Sequence, residues 1–131
     1  MKKLFLFISL LLLTACGQQF NEQHVTYLEK ENWHIKQEVS VETLVLELPE
    51  EMLSNYEASG VSFLRDYLGQ EVTMIIYYLD EKDTDGNQLK AVIYEIGGEV
   101  IGGYGVLPNW TPGVFSLDDK ERLISESMIS Q

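Results

Sequence analysis

The chain is poor in the residues that most metal and nucleophilic chemistry needs. Its 131 residues contain one cysteine, Cys16. With a single thiol no disulfide can close within the chain, and a zinc site built from several thiolates is excluded. Two histidines, His24 and His34, are present, with no partner at a metal-like interval; both are expected to face solvent. Basic residues are scarce, 9 against 21 acidic, for a formal net charge of −12. Such an excess repels nucleic acid and anionic lipid head groups. Its plainest use is solubility; attraction of a cationic partner is the sharper alternative. No Gly-x-Ser-x-Gly elbow and no Walker-type loop occur. Gly102, Gly103 and Gly105 fall inside a strand pattern, not between a strand and a helix, so they make a poor phosphate loop.

What is present begins with an export signal. Lys2 and Lys3 precede the apolar run Leu4 to Leu13, in which only Ser9 is polar, and Thr14 and Ala15 are small. The run is too short to span a bilayer, which takes ~20 apolar residues. Leu13-Thr14-Ala15-Cys16 resembles the lipobox of bacterial lipoproteins. The resemblance implies that the Cys16 thiol receives a diacylglyceryl group and becomes the first residue of the mature chain. Two acyl chains anchor stably where one does not, at ~0.8 kcal/mol per buried methylene. Removal of Lys2 and Lys3 with the leader would take the formal charge from −12 to −14.

The organisation expected is a leader over residues 1–15, a lipidated cysteine and tether over 16–20, one domain over 21–115, and an acidic C-terminal helix or frayed tail over 116–131. Asn21 reads as an N-cap for a helix reaching about Asn32. Trp33, Ile35, Val39 and Val41 alternate with polar residues as a half-buried strand, and Leu44, Leu46 and Leu48 suggest a second. Pro49-Glu50-Glu51 opens a helix. Phe63 to Leu68 suggests a further helical turn ended by Gly69. "EVTMIIYYLD", Glu71 to Asp80, is apolar on both faces and should be a central strand. Leu89 to Ile96, the turn Gly97-Gly98, and Glu99 to Val106 form a hairpin. The glycines of its return strand suggest a bulge or a close approach by another backbone. Ser116 to Asp119 resembles a capping box for a last short helix carrying Leu123, Ile124 and Met128. The last strands leave no room for parallel crossovers. The fold class is therefore α+β: a twisted antiparallel sheet of about five strands with short helices packed mainly on one face.

The candidate sites are few. The loop holding Asp83, Asp85 and Asn87 invites a weak calcium reading, but it lacks the bidentate glutamate of an EF-hand register; a hairpin loop turning at Asp85-Gly86 accounts for it as well. No other metal site and no cofactor are expected. Tyr104, Trp110 and Phe115 are candidate ligand or partner contacts. Trp110 sits in the Pro/Gly-flanked "PNWTPG", where a Trp either stacks on a partner or folds back over the sheet end.

The segments "YLEKENWHI", "YLGQEVTMIIYY" and "AVIYEIGGEVIGGYG" resemble an uncharacterised family of small secreted and lipid-anchored proteins of Gram-positive bacteria, a domain of unknown function. The resemblance implies a cell-envelope location and carries no site residues. The function expected is a non-enzymatic binding or protein-interaction module. It would be held on the extracytoplasmic face of the cell membrane through Cys16, with an envelope protein, peptide or wall fragment as partner and no nucleic acid. The alternative is a carboxylate-based hydrolase acting on wall material near Trp110.

Overall fold

A computed structural model describes residues 19–110 and 113–130. The leader, the lipobox and Cys16 lie outside the described residues. Among the described residues no helix is long and apolar enough to cross a membrane.

Helix α1 spans Glu22–Glu29. As expected, Asn21 caps it: its Oδ1 accepts from the backbone N–H of Gln23 (2.9 Å) and of His24 (3.4 Å). The helix stops three residues short of the expected Asn32. Trp33 N–H donates to Leu28 O and Asn32 N–H to Glu29 O, with Asn32 at φ 65°. This is a Schellman ending, which satisfies the last carbonyls and turns the chain sharply. The other two α-helices end in the same way. In α2 (Glu50–Ala58), Val61 N–H donates to Tyr56 O, and Gly60 takes φ 89°. In α3 (Lys120–Ser125), Met128 N–H donates to Leu123 O, and Ser127 takes φ 58°. Each ending delivers an apolar residue (Trp33, Val61 or Met128) to the core. Ser127 is exposed and carries a side chain in a backbone region that disfavours one. Ser127→Gly is therefore expected to stabilise the fold by about 0.5–1 kcal/mol, read from the urea midpoint.

Five strands form one antiparallel sheet in sequence order: β1 (Ile35–Val45), β2 (Glu71–Lys82), β3 (Gln88–Ile96), β4 (Glu99–Val106) and β5 (Val114–Phe115). The α+β class holds, with two differences in detail. The two strands expected between Trp33 and Leu48 are one strand, β1. The fifth strand is the short β5.

On β2, Ile75, Tyr77 and Leu79 face one core, while Val72, Met74 and Ile76 face the other. Helices α1 and α3 contribute Leu28 and Leu123 to the first core, with Trp33, Phe115, Leu117 and Ile129. Helix α2 and the 3-10 turn Phe63–Tyr67 contribute Leu53 and Leu64 to the second. Two of the three α-helices thus share a face, and the opposite face is covered as well. That is why β2 reads as apolar on both sides.

Three further expectations need correction. Val39 and Val41 are not inward but 43% and 55% exposed. β1 is an outer strand, and register shifts at Ile35/Gln37 and Glu38/Ser40 break its period of two. The expectation for the β4 glycines, by contrast, holds: the β3–β4 register shifts between Tyr94 and Glu95, and a Cβ on Gly103 would meet the Val92 backbone carbonyl (2.8 Å), while at Gly102 and Gly105 the rings of Phe63 and Phe115 leave it no room. The tail over 116–130 does not fray, because Leu117, Leu123 and Ile129 are buried and Ile129 bridges to Asp83. Nor does the capping box form: Ser116 Oγ donates to Asp118 Oδ1 (2.5 Å) and accepts from no backbone N–H of the helix.

Candidate functional site

The three aromatic candidates are not brought together. Tyr104 is buried on the α2 face, edge-on to Tyr56 with ring centroids 5.2 Å apart, its hydroxyl 3.2 Å from that of Tyr94. Burial first, then the neighbouring tyrosines, pushes its phenol well above the ordinary range. Phe115 is buried on the opposite face against Trp33. Only Trp110 is available to a partner, at 53% exposed. It does not fold back over the sheet.

The acidic loop is organised around Asp83, which is 3% exposed. Its Oδ1 accepts from the backbone N–H of Asp85 (2.9 Å) and of Asn87 (2.8 Å). Its Oδ2 accepts from Asn109 Nδ2 at 3.4 Å, and its backbone carbonyl from Ser130 Oγ. This is an Asx-type turn that ties the hairpin to the Pro108 loop and the C-terminus. These N–H donors account for the buried carboxylate. Among the described residues no group of three or more His, Cys, Asp or Glu could hold a metal ion. Asp83, Asp85 and Asn87 take the hairpin-loop arrangement, the other reading of this segment.

His24 is not solvent-facing either. It is 3% exposed, between Glu95 and Tyr77. Nε2 lies 2.6 Å from Glu95 Oε2, and Nδ1 lies 2.5 Å from Tyr77 Oη. A carboxylate only accepts, so Nε2 donates to it, and in the neutral ring Nδ1 accepts from the Tyr77 hydroxyl. The group resembles a catalytic relay in its partners, but Tyr77 is 1% exposed and can touch no substrate. It is a polar rivet that holds α1 to β2 and β3. His34 is exposed, and its Nδ1 meets Glu81 Oε2 at 2.7 Å. Burial tends to raise the Glu81 carboxyl, but hydrogen bonds from the His34 ring and backbone and from Lys120 outweigh it and hold the group below the usual range.

The site that stands out is defined by charge. Seven basic residues are described. Arg65 is clamped by Glu50 and Glu57, Lys120 pairs with Glu81, and Arg122 pairs with Asp119 and Glu126. Lys30, Lys36, Lys82 and Lys90 have no ion-pair partner among the described residues. Lys30 lies over the Tyr27 ring. The other three line one open cleft of about 480 Å³.

The backbone explains their convergence. Lys36 is the extra residue at the first β1 irregularity, which re-aims its side chain. Lys90 stands opposite Tyr78 in the β2–β3 ladder, its Nζ 5.4 Å from the ring centroid. Lys82 stands opposite Gln88 beyond the irregularity in that ladder. Gly86, Asn87, Pro108 and Asn109 complete the wall, and no carboxylate lines it. Sequence reading missed this site. Lys36, Lys82 and Lys90 are far apart along the chain, and only the register of three strands joins them.

Comparison with protein-family models, with curated proteins and with solved structures finds no match to this chain.

Proposed function

We propose that the chain is a lipid-anchored, extracytoplasmic binding module that recognises its ligand without chemistry. Cys16 would hold it to the outer face of the cytoplasmic membrane, and the lysine cleft would hold the ligand. The observation that carries the binding reading is the cleft itself: three of the four cations without an ion-pair partner among the described residues gather there, and none of the 21 Asp and Glu side chains lines it. Random scatter on so acidic a surface would pair most lysines with acids. The lipobox sequence and the short tether after Cys16 support the location. The hydrolase alternative needs two facing carboxylates near Trp110, and the cleft wall formed by Pro108 and Asn109 has none.

Anchoring is tested by Cys16→Ser in a Gram-positive host. The protein is expected to leave the membrane fraction almost completely and to lose its acyl mass by mass spectrometry, while the wild type stays with the membrane. A variant that still sediments with membranes would overturn the anchor.

A further inference from the structure

The chemistry of the cleft narrows its ligand. We infer that it binds a phosphate ester of a polyhydroxylated molecule, free or polymeric but not a membrane lipid; this rests on the reading of the chain as a non-enzymatic binding module.

Three strands each supply one ammonium, from Lys36, Lys82 and Lys90. An ammonium is a compact, strongly hydrated point charge that suits a phosphate oxygen. Three of them around one space match a group of charge near −2 with three acceptor oxygens better than a single carboxylate.

The amides of the wall add a second requirement. Gln88 Nε2 donates to Leu79 O at 3.2 Å, and Asn109 Nδ2 donates to Asp83 Oδ2 at 3.4 Å. Each amide thus spends one of its two N–H donors within the protein, and its carbonyl oxygen is left to accept from a ligand. An acceptor calls for a donor, and a hydroxyl is the donor that a phosphate ester of a polyol carries next to its anion. Tyr78 supplies a ring face, and Trp110, exposed and adjacent to Asn109, can supply another at the rim.

A membrane surface fits less well. The domain is strongly anionic overall, with Asp80 and Asp85 exposed in the same hairpin, and a lipid sheet would meet those acids together with the lysines.

The test uses the full chain, processed in its host and purified in non-ionic detergent, with calorimetric titration by glycerol 3-phosphate, inorganic phosphate and glycerol. Glycerol 3-phosphate is expected to bind most tightly, inorganic phosphate more weakly and glycerol not at all. Affinity for the ester should weaken as salt is raised. Lys36→Glu/Lys82→Glu/Lys90→Glu is expected to weaken it at least tenfold, with an unchanged circular dichroism spectrum. Lys30→Glu carries the same type of charge change outside the cleft and should leave the affinity within twofold.

Absence of heat with both anions would overturn the inference, as would equal losses in the Lys30 and triple variants. Reconstitution in phosphatidylcholine vesicles, with or without phosphatidylglycerol, tests the lipid. Competition by phosphatidylglycerol as strong as by glycerol 3-phosphate would overturn the exclusion of a membrane ligand. Recovery of the ester after incubation separates this inference from the reading beneath it. Cleaved ester with intact lysine dependence would overturn the non-enzymatic reading and leave the site standing.

Discussion

Trp33→Ala is expected to destabilise the domain by about 4–5 kcal/mol, the largest loss for any single side chain. Trp33 is fully buried, and three things depend on it. Its ring packs against Phe115, with centroids 5.4 Å apart. Its Nε1–H donates to Leu117 O at 2.7 Å. Lys120 Nζ sits over its face at 4.7 Å from the centroid and donates to Asn32 O. Truncation removes the largest side chain of that core, leaves a cavity and strands a buried carbonyl. Large-to-small changes at a buried Trp cost about 3–5 kcal/mol, and the orphaned acceptor adds about 1 kcal/mol or more. A domain of this size has about 5–15 kcal/mol in total, so the variant should melt near room temperature or fail to fold. Trp33→Phe is the graded control. It keeps most of the packing, loses the hydrogen bond and should cost about half as much in urea denaturation followed by circular dichroism. Equal midpoints for the wild type and both variants would show that the ring does not hold the C-terminal segment.

Replacing His24 by Leu is expected to cost about 3 kcal/mol, because it leaves Glu95 and the Tyr77 hydroxyl without their partner in a dry place. The asymmetry of hydrogen-bond energetics makes the double variant informative. His24→Leu/Tyr77→Phe removes both ends of one bond and should cost clearly less than the two single changes summed, by 1 kcal/mol or more in a double-mutant cycle. Additive losses would mean that the 2.5 Å contact contributes nothing beyond packing.

The same tyrosine contributes to the alkaline limit of the fold. Burial first, then the charges of Glu38 and Glu95, pushes the Tyr77 phenol up to about 12 from its ordinary 10.0. The folded state holds this proton more tightly than the unfolded state does. Its contribution is therefore complete below pH 10 and is lost as pH rises through about 12. Tyr94 and Tyr104, raised chiefly by burial, act in the same sense. Stability should fall steadily above pH 10, with tyrosinate absorbance appearing together with unfolding. Tyr77→Phe should make that fall shallower without abolishing it.

The parts of the fold that were legible in the sequence are those dictated by local chemistry. Asn21 reads as a cap because its short side chain reaches two backbone donors. Gly97-Gly98 reads as a hairpin because both residues take positive φ. β2 reads as central because Val72 to Leu79 is apolar at every parity but Thr73. The parts that were not legible depend on distant partners. Nothing near His24 in the chain announces Glu95 and Tyr77, so a histidine among polar neighbours looks exposed. The inward period of Val39 and Val41 is broken by irregularities that only pairing with β2 defines. The lysine cleft is the extreme case. Lys82 lies in the acidic run "DEKDTD" and reads as one charge among opposites until the strands assemble.

The clasp of Trp33 on the C-terminal segment bears on the order of assembly. Until Phe115, Leu117, Leu123 and Ile129 arrive, that side of the sheet has only the part of its cover that α1 and Trp33 supply. A chain whose C-terminal segment has not yet been made therefore cannot shut. Once residues 115–129 are seated they act as a latch, and unfolding would first have to lift it.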